Sequence, residues 1–133
     1  MVENELLNQI LEDFSMVIEN KKVKGILLFG SQAINQETNR SDIDICVVAP
    51  DEKTSSLLSY IWQKINVTLK KYDVRMFSEL PLYIKIQIIR EGILVYSPNK
   101  FDLYEYFYPY RKLWADQEHR QEISKEEILS FLK

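Results

Sequence analysis

Apolar and polar positions along this chain switch between two periods, and the switches mark out the elements. Residues 3–19 place Leu7, Ile10, Leu11, Phe14 and Ile18 at helical spacing, which predicts an amphipathic helix with that stripe turned inward. An apolar run over 23–29 predicts a first strand that stops at Gly30-Ser31, and Ile45 to Val48 predicts a second. The polar stretch between them reads as a short helix and a loop. Residues 54–70 give another amphipathic helix, with Leu58, Ile61, Trp62, Ile65 and Leu69 as its stripe and Trp62 as a core anchor. Residues 72–77 alternate as a third strand. A helix over 80–90 follows, with Ser78 as N-cap, Pro81 in its first turn and Gly92 closing it before a fourth strand over 93–96. The order α-β-α-β-α-β-α-β with a helical tail predicts an α/β (α+β) fold, a small mixed sheet of about four strands with flanking helices.

The chemistry gathers around the first two strands. Side chains two apart on a strand share a face, so Asp42 and Asp44 project together, roughly 7 Å apart at their Cα atoms, while Ile43 and Ile45 face the opposite way. Two neighbouring carboxylates raise each other's pKa unless a cation neutralises them, and a hard divalent ion, Mg²⁺, suits oxygen ligands. Gly30 lets the backbone approach a ligand closely, and the N–H groups after it open a helix whose N-terminus attracts phosphate. Carboxylates with Mg²⁺ opposite such a turn make a site for a nucleoside triphosphate. Taken singly, a Gly-Ser is only a turn and an Asp-x-Asp only a solvated strand end; the specificity lies in their spacing. Lys21, Lys22 and Lys24 either draw in the triphosphate or favour a helix end.

Gly30-Ser31, ten further residues and then Asp42-x-Asp44 resemble the signature of the polymerase-β-like nucleotidyltransferase superfamily. The chain is most similar to the minimal nucleotidyltransferase (MNT) family, whose members pair with HEPN-domain proteins in prokaryotic toxin–antitoxin modules. The resemblance spans about residues 23–96 and includes Arg90-Glu91-Gly92 ahead of the fourth strand. It implies the polymerase-β-like fold and transfer of a nucleotidyl group from ATP, with pyrophosphate leaving. It further implies that Asp42, Asp44 and Asp73 are the catalytic residues and the ligands of a pair of Mg²⁺ ions. Asp73 stands where the superfamily carries its third carboxylate, nearest the acceptor, with Arg75 on the same face of its strand. Gly30 and Ser31 are the implied nucleotide-binding residues. The chain departs from the family at Ile34 and Asn35, where members often have a basic residue and a glycine. Arg40 is either the replacement for that phosphate contact or a solvated loop arginine.

Composition narrows the class without deciding it. A chain of 133 residues, 46% hydrophobic and 28% charged, is expected to be one domain, 1–133, with a core at about 23–96 and a tail at about 99–133. No apolar run reaches the ~20 residues of a membrane span, and the N-terminus lacks the layout of a signal peptide, so the cytoplasm is the expected compartment. The one cysteine, Cys46, excludes an internal disulfide and reads as a small buried hydrophobe. A net charge of −3 and the lack of a long basic run give no reason to expect direct nucleic-acid binding.

The tail is rich in aromatics. Tyr104, Tyr106, Phe107 and Tyr108 sit too close in sequence to face one core, so part of the segment is expected to be exposed, either at a partner surface or at the edge of a packed helix. Pro109 is expected to break the helix, Ser124-x-x-Glu127 to open a last one as a capping box, and His119 to be solvated. Three functions stay open. One is an antitoxin enzyme that transfers AMP to a tyrosine hydroxyl of a HEPN ribonuclease toxin. Another is a small-molecule, antibiotic-type nucleotidyltransferase. The third is a non-enzymatic antitoxin that inhibits by binding.

Overall fold

Four strands form one mixed sheet in the order β3-β2-β1-β4, where β1 is Gly25–Phe29, β2 Ile43–Val48, β3 Tyr72–Met76 and β4 Ile93–Tyr96. The computed structural model describes residues 4–30 and 42–131, with side chains as far as residue 120. Central β1 runs antiparallel to both its neighbours, and β2 pairs with β3 in parallel. The parallel pair requires a crossover, supplied by α3 (Thr54–Lys64) and α4 (Val67–Lys70).

Both sheet faces are covered, which explains why the strands read as nearly continuous apolar runs. On one face Ile26, Leu28, Ile45 and Val47 pack against Ile10, Phe14 and Val17 and against Leu57, Ile61 and Ile65 of the crossover. On the other, Leu27, Cys46 and Val48 meet Ile88 of α5 (Leu82–Glu91) and Leu103 and Phe107 of α6 (Lys100–Phe131). The third strand is tied down at its start, where the Tyr72 hydroxyl donates to the Asp13 carboxylate.

Several expectations change in detail. The first helix is broken into α1 (Asn4–Asp13) and α2 (Ser15–Asn20) around Phe14, whose buried ring lies against Tyr72. The second divides at Ile65-Asn66, where the Asn66 side chain accepts the Leu69 N–H at 3.1 Å and starts α4 afresh. The α3 stripe is rotated from the expected one: Leu57, Ile61 and Ile65 are buried, whereas Trp62 is 57% exposed and is no core anchor. Ser78 lies in a 3₁₀ turn, Phe77–Glu79, and Pro81 takes the N-cap position of α5. Gly92 does close α5, with its N–H on the Ile88 carbonyl at 2.8 Å, but at φ −64° rather than left-handed.

The tail differs most. Pro109 does not break α6, and Ser124 lies inside it, so no new helix opens there. A ring cluster spans the proline: Phe77 meets Tyr106, Phe107 and Tyr110 at centroid distances of 5.8, 5.0 and 5.4 Å. Anchors on both sides of Pro109 hold the helix through a residue that costs about 3 kcal/mol in a helix interior. Leu103 and Phe107 are buried while Phe101, Tyr104 and Tyr108 stay exposed, as their spacing requires. His119 is exposed as well.

Candidate active site

The C-terminal end of β1 and the N-terminal ends of β2 and β3 lie together at one end of the sheet. Their register makes the site. Asp44 is paired with Phe29 on one side and with Asp73 on the other. Because alternate residues share a face, Asp44 points to the side of Cys46, and Asp73 to the side of Arg75, which is the face covered by α5 and α6. Asp44 and Asp73 are cross-strand partners close enough for the charge of Asp73 to raise the Asp44 pKa. Asp42, exposed just ahead of β2, adds its field to theirs. The register thus sets two of the three sequence candidates, Asp44 and Asp73, side by side, with Asp42 near them in solvent.

Gly30 follows β1 directly and turns the chain at φ +71°, a conformation L side chains rarely adopt. A side chain there would also displace the Asp44 carboxylate, which stands where its Cβ would go. The turn and the Asp44 carboxylate are thus in close approach. Ser31, Ile34, Asn35 and Arg40 lie outside the described residues, as does the stretch expected to form a short helix. Lys21, Lys22 and Lys24 precede β1 and so stand at the opposite end of the sheet. Lys21 lies over the Tyr60 ring, 4.7 Å from its centroid, and the Lys22 N–H donates to Glu52 at 2.8 Å. None of the three serves the site.

Asp44 carries the electrostatic cost of this arrangement. Burial raises its pKa first, then the charges of Asp73 and Asp42, while Arg75 opposes them. Arg75 reaches back along β3 to grip Asp73, Nε to Oδ1 at 3.1 Å and Nη2 to Oδ2 at 3.4 Å. The donor chemistry suits a hard divalent cation: carboxylate oxygens only, one of the groups with its pKa raised by burial and by its acidic neighbours. The closure expected of three metal ligands is not formed, since among the described residues no three acidic, histidine or cysteine groups are close enough together to hold an ion. Arg75 occupies Asp73, and Asp42 stands out in solvent.

Trp62, expected in the core, instead has an exposed ring bordering a cleft that also includes Asp73 and Arg75. Among the described residues no helix is long and apolar enough to cross a membrane.

Residues 12–101 match the family described as polymerase beta, nucleotidyltransferase. The chain belongs to that family. As a nucleotidyltransferase it is 46% identical, over 74% of its length and 75% of the relative's, to a Methanocaldococcus jannaschii protein named as a candidate protein adenylyltransferase. Its fold is shared with solved toxin–antitoxin structures. A toxin–antitoxin complex with AMP-PNP aligns at a TM-score of 0.68 and 18% identity, covering 92% of this nucleotidyltransferase and 98% of the matched chain. An MntA–HepT complex aligns at 0.64 and 17%, covering 96% and 99%. A complex of tri-AMPylated HEPN toxin with MNT antitoxin from Shewanella oneidensis aligns at 0.59 and 21%, covering 92% and 95%.

Proposed function

We propose that this nucleotidyltransferase is the antitoxin of a toxin–antitoxin pair and transfers AMP from ATP to a tyrosine hydroxyl of a cognate HEPN ribonuclease toxin, silencing it. The observation that carries the reading is the Asp44–Asp73 pair, in register on parallel strands beside the Gly30 turn. Its support in kind comes from the adenylyltransferase name of the M. jannaschii relative and from the AMPylated toxin bound by an antitoxin of the same fold.

Asp42, Asp44 and Asp73 would hold Mg²⁺, which when bound supplies positive charge to the phosphates of ATP. The Gly30-Ser31 turn binds the outer phosphates through backbone N–H groups and the serine hydroxyl. Asp73 accepts the proton of the tyrosine hydroxyl. The phenolic oxygen forms a bond to the α-phosphorus, the bond from that phosphorus to the bridging oxygen breaks, and pyrophosphate leaves with the electron pair. Before the nucleotide arrives, Arg75 holds the Asp73 carboxylate in place and lessens its repulsion with Asp44.

The experiment is incubation with ATP labelled at the α-phosphate and Mg²⁺, with and without the cognate HEPN protein. Label on a HEPN tyrosine is the expected result. A HEPN protein that is bound but never labelled would leave a binding antitoxin, and label appearing only on small hydroxylated acceptors would leave the antibiotic-type enzyme.

A further inference from the structure

β3 is an outer strand of the sheet, and among the described residues no strand pairs with its free edge. A cleft of about 310 Å³ follows that edge. Leu58 and Trp62 of α3 form one wall, Glu79 and Leu80 the other, and β3 residues from Asp73 to Met76 the floor. We propose that this cleft seats the acceptor: an extended protein segment that pairs with the β3 edge and lays its tyrosine ring against Trp62, with the hydroxyl at Asp73. The inference rests on the transfer reading above and names where its protein substrate binds.

Three observations point to this occupant. The first is continuity, since Asp73 is at once a member of the carboxylate group and part of the cleft floor. The second is the mixture of surfaces. An aromatic ring that is 57% exposed stands beside aliphatic Leu58 and Leu80, with Arg75 and Glu79 within the same cleft. A tyrosine needs that combination, an apolar face for its ring and a polar end for its hydroxyl. The third is the open strand edge. Its unpaired backbone groups offer main-chain hydrogen bonds to an extended peptide, while the cleft receives alternate side chains. The volume is at the lower end for a small-molecule pocket, which suits one side chain better than a whole second ligand.

Trp62 contributes little to the core, so it can be changed without unfolding the chain. With the cognate HEPN protein as acceptor, Trp62→Ala should raise the acceptor KM about tenfold or more while the ATP KM stays within twofold. Trp62→Phe should restore most of the acceptor KM by returning a ring. Leu69→Ala, at a residue 76% exposed but outside the cleft, should change neither constant. Matching melting temperatures for all three variants establish that they fold. An acceptor KM for Trp62→Ala within twofold of the unaltered chain would overturn the cleft assignment and leave the transfer reading standing. No labelling of any HEPN protein by the unaltered chain would overturn the transfer reading, and this inference with it.

Discussion

The Asp44 carboxylate stands where a Cβ at Gly30 would have to go, so any side chain at the turn must push it aside. Gly30→Ala therefore meets two penalties, a left-handed φ and a steric collision with the group at the centre of the site. We expect about 1–3 kcal/mol of destabilisation and loss of nucleotide transfer. Asp44→Ala in the same chain should recover the steric part and leave only the backbone part. A double-mutant cycle by chemical denaturation measures the two, and additive effects would show that the collision is absent.

Charge repulsion among the carboxylates sets a pH dependence. Asp44 has its pKa raised in the fold by burial and by Asp73 and Asp42. A raised carboxylate favours the folded state while protonated, so its contribution is complete below the ordinary carboxylate value and is lost as pH rises through the higher folded value. Metal-free protein should therefore lose stability from this group as pH climbs from the ordinary carboxylate value through the higher folded one. Asp42→Asn with Asp44→Asn should flatten that slope, hold or raise the neutral-pH melting temperature, and abolish transfer. Melting curves across pH, with a transfer assay beside them, check all three.

In the proposed reaction Asp73 serves the acceptor more than ATP. Asp73→Asn should abolish transfer while Mg²⁺-ATP affinity remains measurable by calorimetry, because Asp42 and Asp44 still serve the nucleotide. It also weakens the grip of Arg75. Retained turnover with ATP binding lost would reverse the assignment.

The outward side of α6 presents Phe101, Tyr104 and Tyr108, at 67%, 58% and 61% exposure. Arg111 extends the same stripe, and Arg90, Lys112 and Ala115 share a neighbouring groove with the two tyrosines. We expect this stripe to contact the HEPN partner. A buried interfacial aromatic is worth ~2 kcal/mol or more, roughly thirtyfold in affinity. Alanine at Tyr104 and Tyr108 should weaken partner binding by that order, while substitutions at Asp42 and Asp44 leave it nearly unchanged. Titration against the partner decides, and unaltered affinity would make α6 no more than a cover for the sheet.

Much of this could be read from the chain because strand signals are local. The run into Gly30, the Asp42–Asp44 spacing and the strand over 93–96 each depend on neighbours a few residues away, and β4 falls where the pattern puts it. The mixed four-stranded sheet followed from the number and order of those runs. Three features depended on packing that no local pattern records. Trp62 occupies a helical position beside the buried line of Leu57, Ile61 and Ile65, and sequence spacing alone does not say which line meets the sheet. Pro109 persists within α6 because the rings around Phe77 hold both sides of it. The break at Phe14 belongs to a contact with Tyr72, far away in sequence. Asp73 was legible in another way: its strand could be read from alternation, but its position beside Asp44 follows from the parallel register alone.

Cys46 turns the sheet into its own reporter. It is the chain's one thiol, fully buried between Leu27 and Arg75 in the strand registers, and burial pushes its pKa well above the ordinary thiol value. Ile88, Leu103 and Phe107 pack in the same cluster, so a thiol reagent reaches the sulfur only when the α5–α6 layer lifts from the strands. The labelling rate then counts how often the roof over the carboxylate face opens. A ligand that binds only the closed form must slow that rate in proportion to its occupancy. Nucleotide and partner can each be scored in this way, without any transfer having taken place.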